Sequence, residues 1–185
     1  TNKNKMVKLI LGTKSKVRKD SLNNNTIQCL VEPAKIDEDA IKNSLIKEGA
    51  TPEEISKNLA EVKANKISQK KNEEIVIGAD SVIDLDGEII SKPSSRKEAM
   101  EILKKLNGKK HHLISSVCIS KNGSMIWNYT DKAELIMKQM NDNELKSYLS
   151  KIKDEDLYAY NVYQIEGIGK NLFSKINGDK NTIMG

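Results

Sequence analysis

The sequence has little of the material from which large cores or covalent frameworks are usually built. Aromatic side chains make up 4% of its 185 residues, and it contains three prolines and two cysteines. A core with so few rings must rest on Ile, Leu, Val and Met. Cys29 and Cys118 each lie in an apolar, strand-like segment, which predicts buried thiols and favours a reducing cytoplasm over an extracellular disulfide framework.

Long apolar runs and a continuous basic arm are also missing. Without a signal-peptide core or a run of membrane-spanning length, we expect neither secretion nor a membrane span. The composition is 37% hydrophobic and 31% charged, which indicates a globular chain, and the net charge is +5. Because the lysines are spread along the chain, the charge favours a small polyanionic substrate such as a nucleotide, and nucleic acid is not expected as a partner.

The first basic segment lacks the glycine spacing of a Walker A or Rossmann loop. A predicted strand over 6–11 runs into Gly12, a turn with the hydroxyls of Thr13 and Ser15, and a short helix that reaches Leu22. A helix N-terminus after a strand presents backbone N–H groups to an anion. The segment therefore predicts either a phosphate site or a solvated basic loop, and the residues alone favour neither.

The next segment predicts a second strand over 26–31 and then two helices. Acidic residues at 37–39 can begin a helix that extends through Lys47. Thr51 and Pro52 provide an N-cap and a favourable first helical residue for the second one. In that helix Lys63 lies beside an apolar stripe, so it lines either the edge of a cleft or the solvated face. From the residues alone, the solvated face is favoured.

A hairpin over 75–93 is the segment around which the chain is organised. The β-branched run that begins at Ile75 predicts a buried strand, and Asp80 stands where this run ends. Asp86-Gly87 is a hairpin turn signal, and Lys92 follows the return strand. A carboxylate and an ammonium on one hairpin can converge on a metal and a phosphate. The alternative is a surface hairpin with solvated charges.

The remaining sequence predicts an α/β chain, either as one domain or as two small lobes. A helix capped by Ser95 precedes a strand from His111 and a turn at 122–123. A partner strand follows, then a helix over 140–152 and a loop at 154–156. Because His111 and His112 stand apart from the charged motifs, we predict a structural role for both. The chain stops at Gly185 without an obvious terminal helix, so we expect a C-terminal element to be missing.

Four motifs, taken in order, resemble those of the Maf family of nucleoside triphosphate pyrophosphatases. They are the segment 11–19, Asp37-Glu38, Gly78-Ala79-Asp80-Ser81-Val82 with Lys92-Pro93, and the segment 163–169. The resemblance implies one domain over 1–185 with a Maf/ITPase-like α/β fold: an elongated mixed sheet flanked by helices, with two lobes around a nucleotide cleft. It also implies a homodimer that hydrolyses a nucleoside triphosphate to the monophosphate and pyrophosphate with Mg²⁺ or Mn²⁺.

The resemblance assigns roles residue by residue. It implies that Asp80 is catalytic and that Glu38 and Asp80 hold the metal. The residues that it assigns to substrate binding are Thr13, Ser15, Val17, Arg18, Lys63, Ser81, Lys92 and Glu166. Two departures, Val17 in place of an Arg and Glu166 in place of a Gln, resemble the branch that acts on 7-methyl-GTP. A carboxylate suits the N1 and N2 donors of a guanine edge. Tyr158, where many members have Asp, is a further departure.

Two other functions remain open from the sequence. One is a non-catalytic nucleotide or nucleic-acid binding regulator of cell division and septum formation, which the positive charge permits. Against it, Glu38 and Asp80 would repel phosphates unless a metal bridged them. The other is a related enzyme that removes inosine or xanthosine triphosphates from nucleotide pools.

Overall fold

The computed structural model describes residues 9–11, 29–164 and 167–178. Its strands are β1 (Leu9–Leu11), β2 (Cys29–Val31), β3 (Ile75–Leu85), β4 (Glu88–Ile90), β5 (Lys110–Lys121), β6 (Ser124–Met137) and β7 (Phe173–Asn177). Its helices are α1 (Glu38–Lys47), α2 (Pro52–Ser68), α3 (Arg96–Leu106), α4 (Asp142–Ser150), α5 (Asp154–Tyr160) and a 3-10 helix (Ile168–Leu172). The two predicted N-terminal strands begin outside the described residues.

The strands form one mixed sheet, as the sequence predicted for an α/β chain. Their order is β2-β1-β3-β5-β6-β7, and β4 pairs with β3. Strand β1 is parallel to both β2 and β3, whereas β4 is antiparallel to β3 and β7 is antiparallel to β6. The chain divides into two compact units, and β3, β5 and β6 contribute residues to both.

The first unit contains the described residues up to Ser81 together with Ser115–Asp131. Its core packs small and aliphatic side chains of helix α2 against the sheet. The buried members are Ile10, Ala60, Ala64, Ile67, Val76 and Cys118. Thr51 accepts a hydrogen bond from the Glu54 N–H, and this N-cap begins α2 where the sequence predicted. Helix α1 packs against α2.

The second unit contains Val82–Ile114 and the described residues from Lys132 onward. Its core is larger and combines leucines of α3, α4 and α5 with the ends of the long strands. The β3–β4 hairpin turns at Asp86-Gly87, where both residues have positive φ angles of 50° and 91°. Such angles are typical of tight two-residue hairpin turns, so the turn predicted from this dipeptide is confirmed.

The predicted loop at 154–156 was wrong, because these residues begin α5. Three successive carboxylates in the first turn interact favourably with the positive end of the helix dipole, and Leu157 is buried behind them. Arg96 connects the start of α5 to the end of α4. Its Nε donates to Asp154 Oδ1 at 2.7 Å, and its two terminal nitrogens donate to the carbonyl oxygens of Leu149 and Ile152.

Cys118 lies in β5 and is buried with its thiol reduced, as predicted. Burial raises the pKa of this thiol to about 11, so it is held protonated and is a poor nucleophile. None of the helices within the described ranges is long and apolar enough to span a bilayer.

Candidate active site

Helix α2 lies unusually close to strand β3, and a glycine makes this possible. A Cβ atom added at Gly78 would stand 2.3 Å from the Ala60 carbonyl oxygen and 2.8 Å from the Ala64 nitrogen. Ala60 and Ala64 are themselves fully buried. The absence of a side chain on the strand and the small side chains on the helix therefore fix α2 directly over this part of β3.

This close packing places a lysine against the middle of β3, since the strand continues through Asp80 to Leu85 and does not end at Asp80 as the sequence predicted. Because side chains alternate along a strand, Asp80 shares with Gly78 the face that α2 covers. Lys63 comes one residue before Ala64, and its Nζ lies 3.1 Å from Asp80 Oδ1 and 3.4 Å from the Ala79 carbonyl oxygen. Lys63 is 8% exposed and Asp80 is 6% exposed. The interpretation of Lys63 as a solvated helix residue was therefore wrong.

Glu38 completes a cluster of three charged side chains, which we call the carboxylate–lysine cluster (Glu38, Lys63 and Asp80). Asp37 caps helix α1, because its Oδ1 accepts from the Ala40 N–H at 3.0 Å, so Glu38 is the first helical residue. Glu38 Oε1 lies 2.8 Å from Lys63 Nζ. The Glu38 side chain is 38% exposed, so the cluster is buried at Asp80 and reaches solvent at Glu38.

Hydroxyl groups fix the backbone around Asp80. Ser56 is fully buried, and its hydroxyl donates to the Asp80 carbonyl oxygen at 3.1 Å. The sequence analysis missed Ser56, although its position four residues before Ala60 places it on the same helix face. Ser81 lies on the opposite face of β3, where its hydroxyl is 2.9 Å from that of Ser115. The substrate-binding role of Ser81 stays a prediction.

The donor set of the cluster fits a hard divalent cation. Two carboxylates from different elements converge on one positive charge, which the Lys63 ammonium supplies in this structure. Among the described residues, no group of three or more His, Cys, Asp or Glu side chains could hold a metal. Mg²⁺ is often bound by one or two carboxylates together with substrate phosphates. Glu38 and Asp80 match that kind of site.

The remaining predicted site residues are Lys92 and five that the structure does not describe. Lys92 belongs to the second unit and is exposed, directly after β4. The residues that lie outside the described part of the chain are Thr13, Ser15, Val17, Arg18 and Glu166. Their assignments to phosphate and base therefore stay predictions.

A second group of buried polar side chains, in the second unit, is neutral. His111 is 1% exposed, and its Nε2 lies 2.9 Å from the Tyr163 hydroxyl. Burial, with a smaller contribution from His112, lowers the His111 pKa to about 4. Tyr148 donates to the Val162 carbonyl oxygen at 2.6 Å. Contacts of the His111 and Tyr163 rings with Phe173 fill the space between them, which supports the structural role predicted for His111.

Comparison with known proteins gives a consistent result. The chain matches the family described as Maf-like protein over residues 8–185. It is 70% identical over 181 residues to a nucleoside triphosphate pyrophosphatase of Pelagibacter ubique, covering 97% of this chain and 93% of that protein. It is 37% identical over 179 residues to a 7-methyl-GTP pyrophosphatase of Brucella abortus, covering 97% and 90%.

Among solved structures, the fold is similar to that of a HAM1 protein from Coxiella burnetii. The TM-score is 0.50 at 12% identity, and the match covers 72% of this chain and 74% of the other. At that identity the likeness describes the fold alone, and it agrees with the Maf/ITPase-like fold expected from the sequence. With a family match over nearly its whole length, this chain belongs to the Maf family.

Proposed function

We propose that the chain is a nucleoside triphosphate pyrophosphatase, which hydrolyses a nucleoside triphosphate to the monophosphate and pyrophosphate and so clears nucleotide pools of unwanted members. The observation that carries this proposal is the carboxylate–lysine cluster around Asp80, in the middle of β3. The relatives at 70% and 37% identity are named as pyrophosphatases of this kind. The alternative, a non-catalytic regulator of septum formation, has no such support.

The reaction requires charge neutralisation rather than a covalent intermediate. Cleavage at the α-phosphorus builds negative charge on the departing pyrophosphate. Glu38 and Asp80 would hold the divalent cation, Mg²⁺ or Mn²⁺, which would neutralise this charge and lower the pKa of water. Because the Asp80 carboxylate is buried and fixed by its neighbours, it is suited to orient the attacking water and accept its proton.

The cations of the chain would bind the phosphates. Lys63 is close to the proposed metal ligands and would contact a phosphate oxygen there. We assign Arg18 and Lys92, with the hydroxyls of Thr13 and Ser15, to the remaining phosphate oxygens, as the family resemblance implies. Arg18 would bind two oxygens at once.

For the base, we propose a guanine type, with 7-methyl-GTP as the first candidate. The relative from Brucella abortus carries that substrate in its name. The Glu166 carboxylate can accept from the N1 and N2 donors of guanine, and it would be attracted to the positive charge of a 7-methylated ring. A uracil or thymine would instead place oxygen lone pairs against it.

A pyrophosphate-release screen tests the proposal. Purified protein is assayed with the common nucleoside triphosphates, 7-methyl-GTP, ITP and XTP, each with Mg²⁺ and with Mn²⁺. We expect release that requires added metal, is highest with 7-methyl-GTP, and disappears on chelation. Release from ITP or XTP alone would favour the related enzyme class, and no release from any nucleotide would contradict the proposal.

The base assignment has its own variant. Glu166→Gln should retain activity and shift preference from guanine nucleotides towards UTP or dTTP by roughly ten- to hundred-fold, the usual effect of one mismatched polar contact. A loss on every substrate with a raised metal requirement would make Glu166 a metal ligand instead. We further propose that the protein is a homodimer and that it is cytoplasmic. Sedimentation velocity of the purified chain would test the dimer.

A further inference from the structure

The position between the two proposed metal ligands is taken by the protein's own cation. Lys63 Nζ lies 2.8 Å from Glu38 Oε1 and 3.1 Å from Asp80 Oδ1. At these distances the ammonium forms an ion pair with one oxygen of each carboxylate. A divalent ion that entered alone would have to separate both ion pairs before it could use the same oxygens.

The helix that carries Lys63 is packed directly on β3. Its backbone contacts β3 at Gly78, where even a Cβ atom would stand only 2.3 Å from the Ala60 carbonyl oxygen. The Ser56 hydroxyl also ties α2 to the Asp80 carbonyl oxygen. With the backbone held in this way, rotation of the lysine side chain, which has four flexible bonds, is the simplest way to release Asp80.

Rotation of the side chain is costly unless a new anion is present. Lys63 is 8% exposed, and an ammonium that is buried without a partner loses both its hydration and its ion pairs. Free Mg²⁺ or Mn²⁺ repels the ammonium and offers it no new contact. A metal–triphosphate complex carries a net negative charge, so it brings a phosphate oxygen for the ammonium together with the cation for the carboxylates.

We propose that Lys63 is an exchangeable cation that excludes free divalent metal from Glu38 and Asp80 and releases them only when metal and nucleotide arrive together. This inference rests on the proposed function. It gives Lys63 two successive partners, the carboxylates before binding and a phosphate afterwards. Metal affinity and nucleotide affinity are then coupled, because each ligand removes an obstacle to the other.

Mn²⁺ binding to the intact chain, followed by electron paramagnetic resonance, tests this without any turnover. We expect wild-type protein to bind Mn²⁺ weakly alone and much more tightly with α,β-methylene-GTP, which cannot be cleaved at the α–β position. Lys63→Met should bind Mn²⁺ alone at least about tenfold more tightly than wild type, corresponding to about 1.4 kcal/mol. The enhancement by the nucleotide analogue should shrink in this variant.

Matched variants separate the exchange from a general charge effect. Lys57→Met removes one positive charge from a partly exposed position on the same helix and should leave Mn²⁺ affinity within about twofold of wild type, since charges in contact with solvent are screened. Lys63→Gln is a second neutral variant that keeps a hydrogen-bond donor in case Lys63→Met does not fold. Adding Asp80→Asn to Lys63→Met should remove the gained Mn²⁺ binding.

The outcomes distinguish this inference from the proposed function. Equal Mn²⁺ affinity in wild type and both Lys63 variants, with unchanged nucleotide enhancement, overturns the exchange even if pyrophosphate release is robust. A gain of similar size in Lys57→Met also overturns it. A gain confined to the Lys63 variants supports the exchange of ammonium for metal. In that case, failure of every nucleotide in the release screen would count against the pyrophosphatase alone.

Discussion

The two units bury polar side chains in different ways. In the first unit the carboxylate–lysine cluster is charged and reaches solvent at Glu38. In the second unit His111 and Tyr163 are buried, hydrogen-bonded to each other and surrounded by aromatic contacts. Buried charges are costly even when paired, whereas a neutral hydrogen-bonded pair costs little.

This difference indicates that the carboxylate–lysine cluster is a functional site and that the His111–Tyr163 group belongs to the core. The second group is neutral, and its hydrogen bond and ring contacts pack β5 against the segment around Tyr163. The carboxylate–lysine cluster of the first unit instead keeps two carboxylates and an ammonium near the contact between α2 and β3. Well-packed apolar side chains of similar volume would often be as stable there. An arrangement that is retained at such a cost is best explained by catalysis or binding.

The largest effect should come from removing the buried carboxylate. Asp80→Asn keeps the shape of the side chain but removes a metal ligand and the proton acceptor, so turnover should fall at least ~10²-fold. Pyrophosphate release and far-ultraviolet circular dichroism are the measurements, with Asp86→Asn in the exposed hairpin turn as the control. A folded Asp80→Asn protein with normal release would remove Asp80 from the mechanism.

Gly78→Ala should have the next largest effect, on stability. The added methyl group would stand 2.3 Å from a backbone oxygen that cannot yield without shifting α2. We expect a loss of at least about 2 kcal/mol in the free energy of unfolding, measured by urea denaturation. Gly167→Ala is the control, because a Cβ atom there would stand 3.8 Å from the Gln164 carbonyl oxygen, an ordinary van der Waals distance. Equal stability of Gly78→Ala and wild type would show that α2 is free to shift.

Much of this architecture could be predicted from local signals. The acidic start of α1, the N-cap at Thr51, the Asp86-Gly87 turn and the buried strand that begins at Ile75 were predicted correctly. Each depends on a few neighbouring residues, and the family resemblance supplied the pairing of Glu38 with Asp80. The Asp154 helix was missed because a run of acids is typical of solvated loops as well as of helix first turns.

The surroundings of Lys63 could not be predicted from the residues, since they depend on how closely two distant segments approach. Periodicity placed Lys63 beside the apolar stripe of α2 but could not show that Gly78, fifteen positions later, would let the helix reach the strand. The same holds for His111 and Tyr163, which meet only in the folded chain. Contacts between segments far apart in sequence are the part that local rules leave open.

A smaller effect is expected from pH, and it belongs to the second unit. The folded pKa of His111 is about 4, whereas an unfolded histidine has a pKa of about 6.5. Between these values the unfolded chain binds more protons, so stability is complete above about pH 6.5 and falls as the pH drops towards 4. The loss between pH 7 and 5 should be about 1–2 kcal/mol.

Urea denaturation at pH 5, 6 and 7 measures this loss, in a range where most carboxylates stay ionised. His111→Gln should flatten the dependence, because its side chain is neutral throughout, while His112→Gln should keep it. If His111→Gln retained the full slope, the burial of a neutral imidazole would not be its cause. The contrast between a neutral and a charged buried group would then lose its support in the second unit.

The smallest effect should come from an exposed ion pair, which sets the baseline for the buried one. Lys71 Nζ lies 3.5 Å from Glu32 Oε2, and both side chains are about two-fifths exposed. Water and salt screen such a pair, so Lys71→Met should change the free energy of unfolding by no more than about 0.5 kcal/mol. Lys63→Met also removes one positive charge, but from a buried ion pair, and it leaves the Asp80 carboxylate without that ammonium. Its loss in the free energy of unfolding should therefore be clearly larger. Urea denaturation of both variants at low and high salt makes the comparison. Similar losses for the two lysines would mean that burial does not set the cost of the carboxylate–lysine cluster, and the argument for a functional site from its energetic cost would fail.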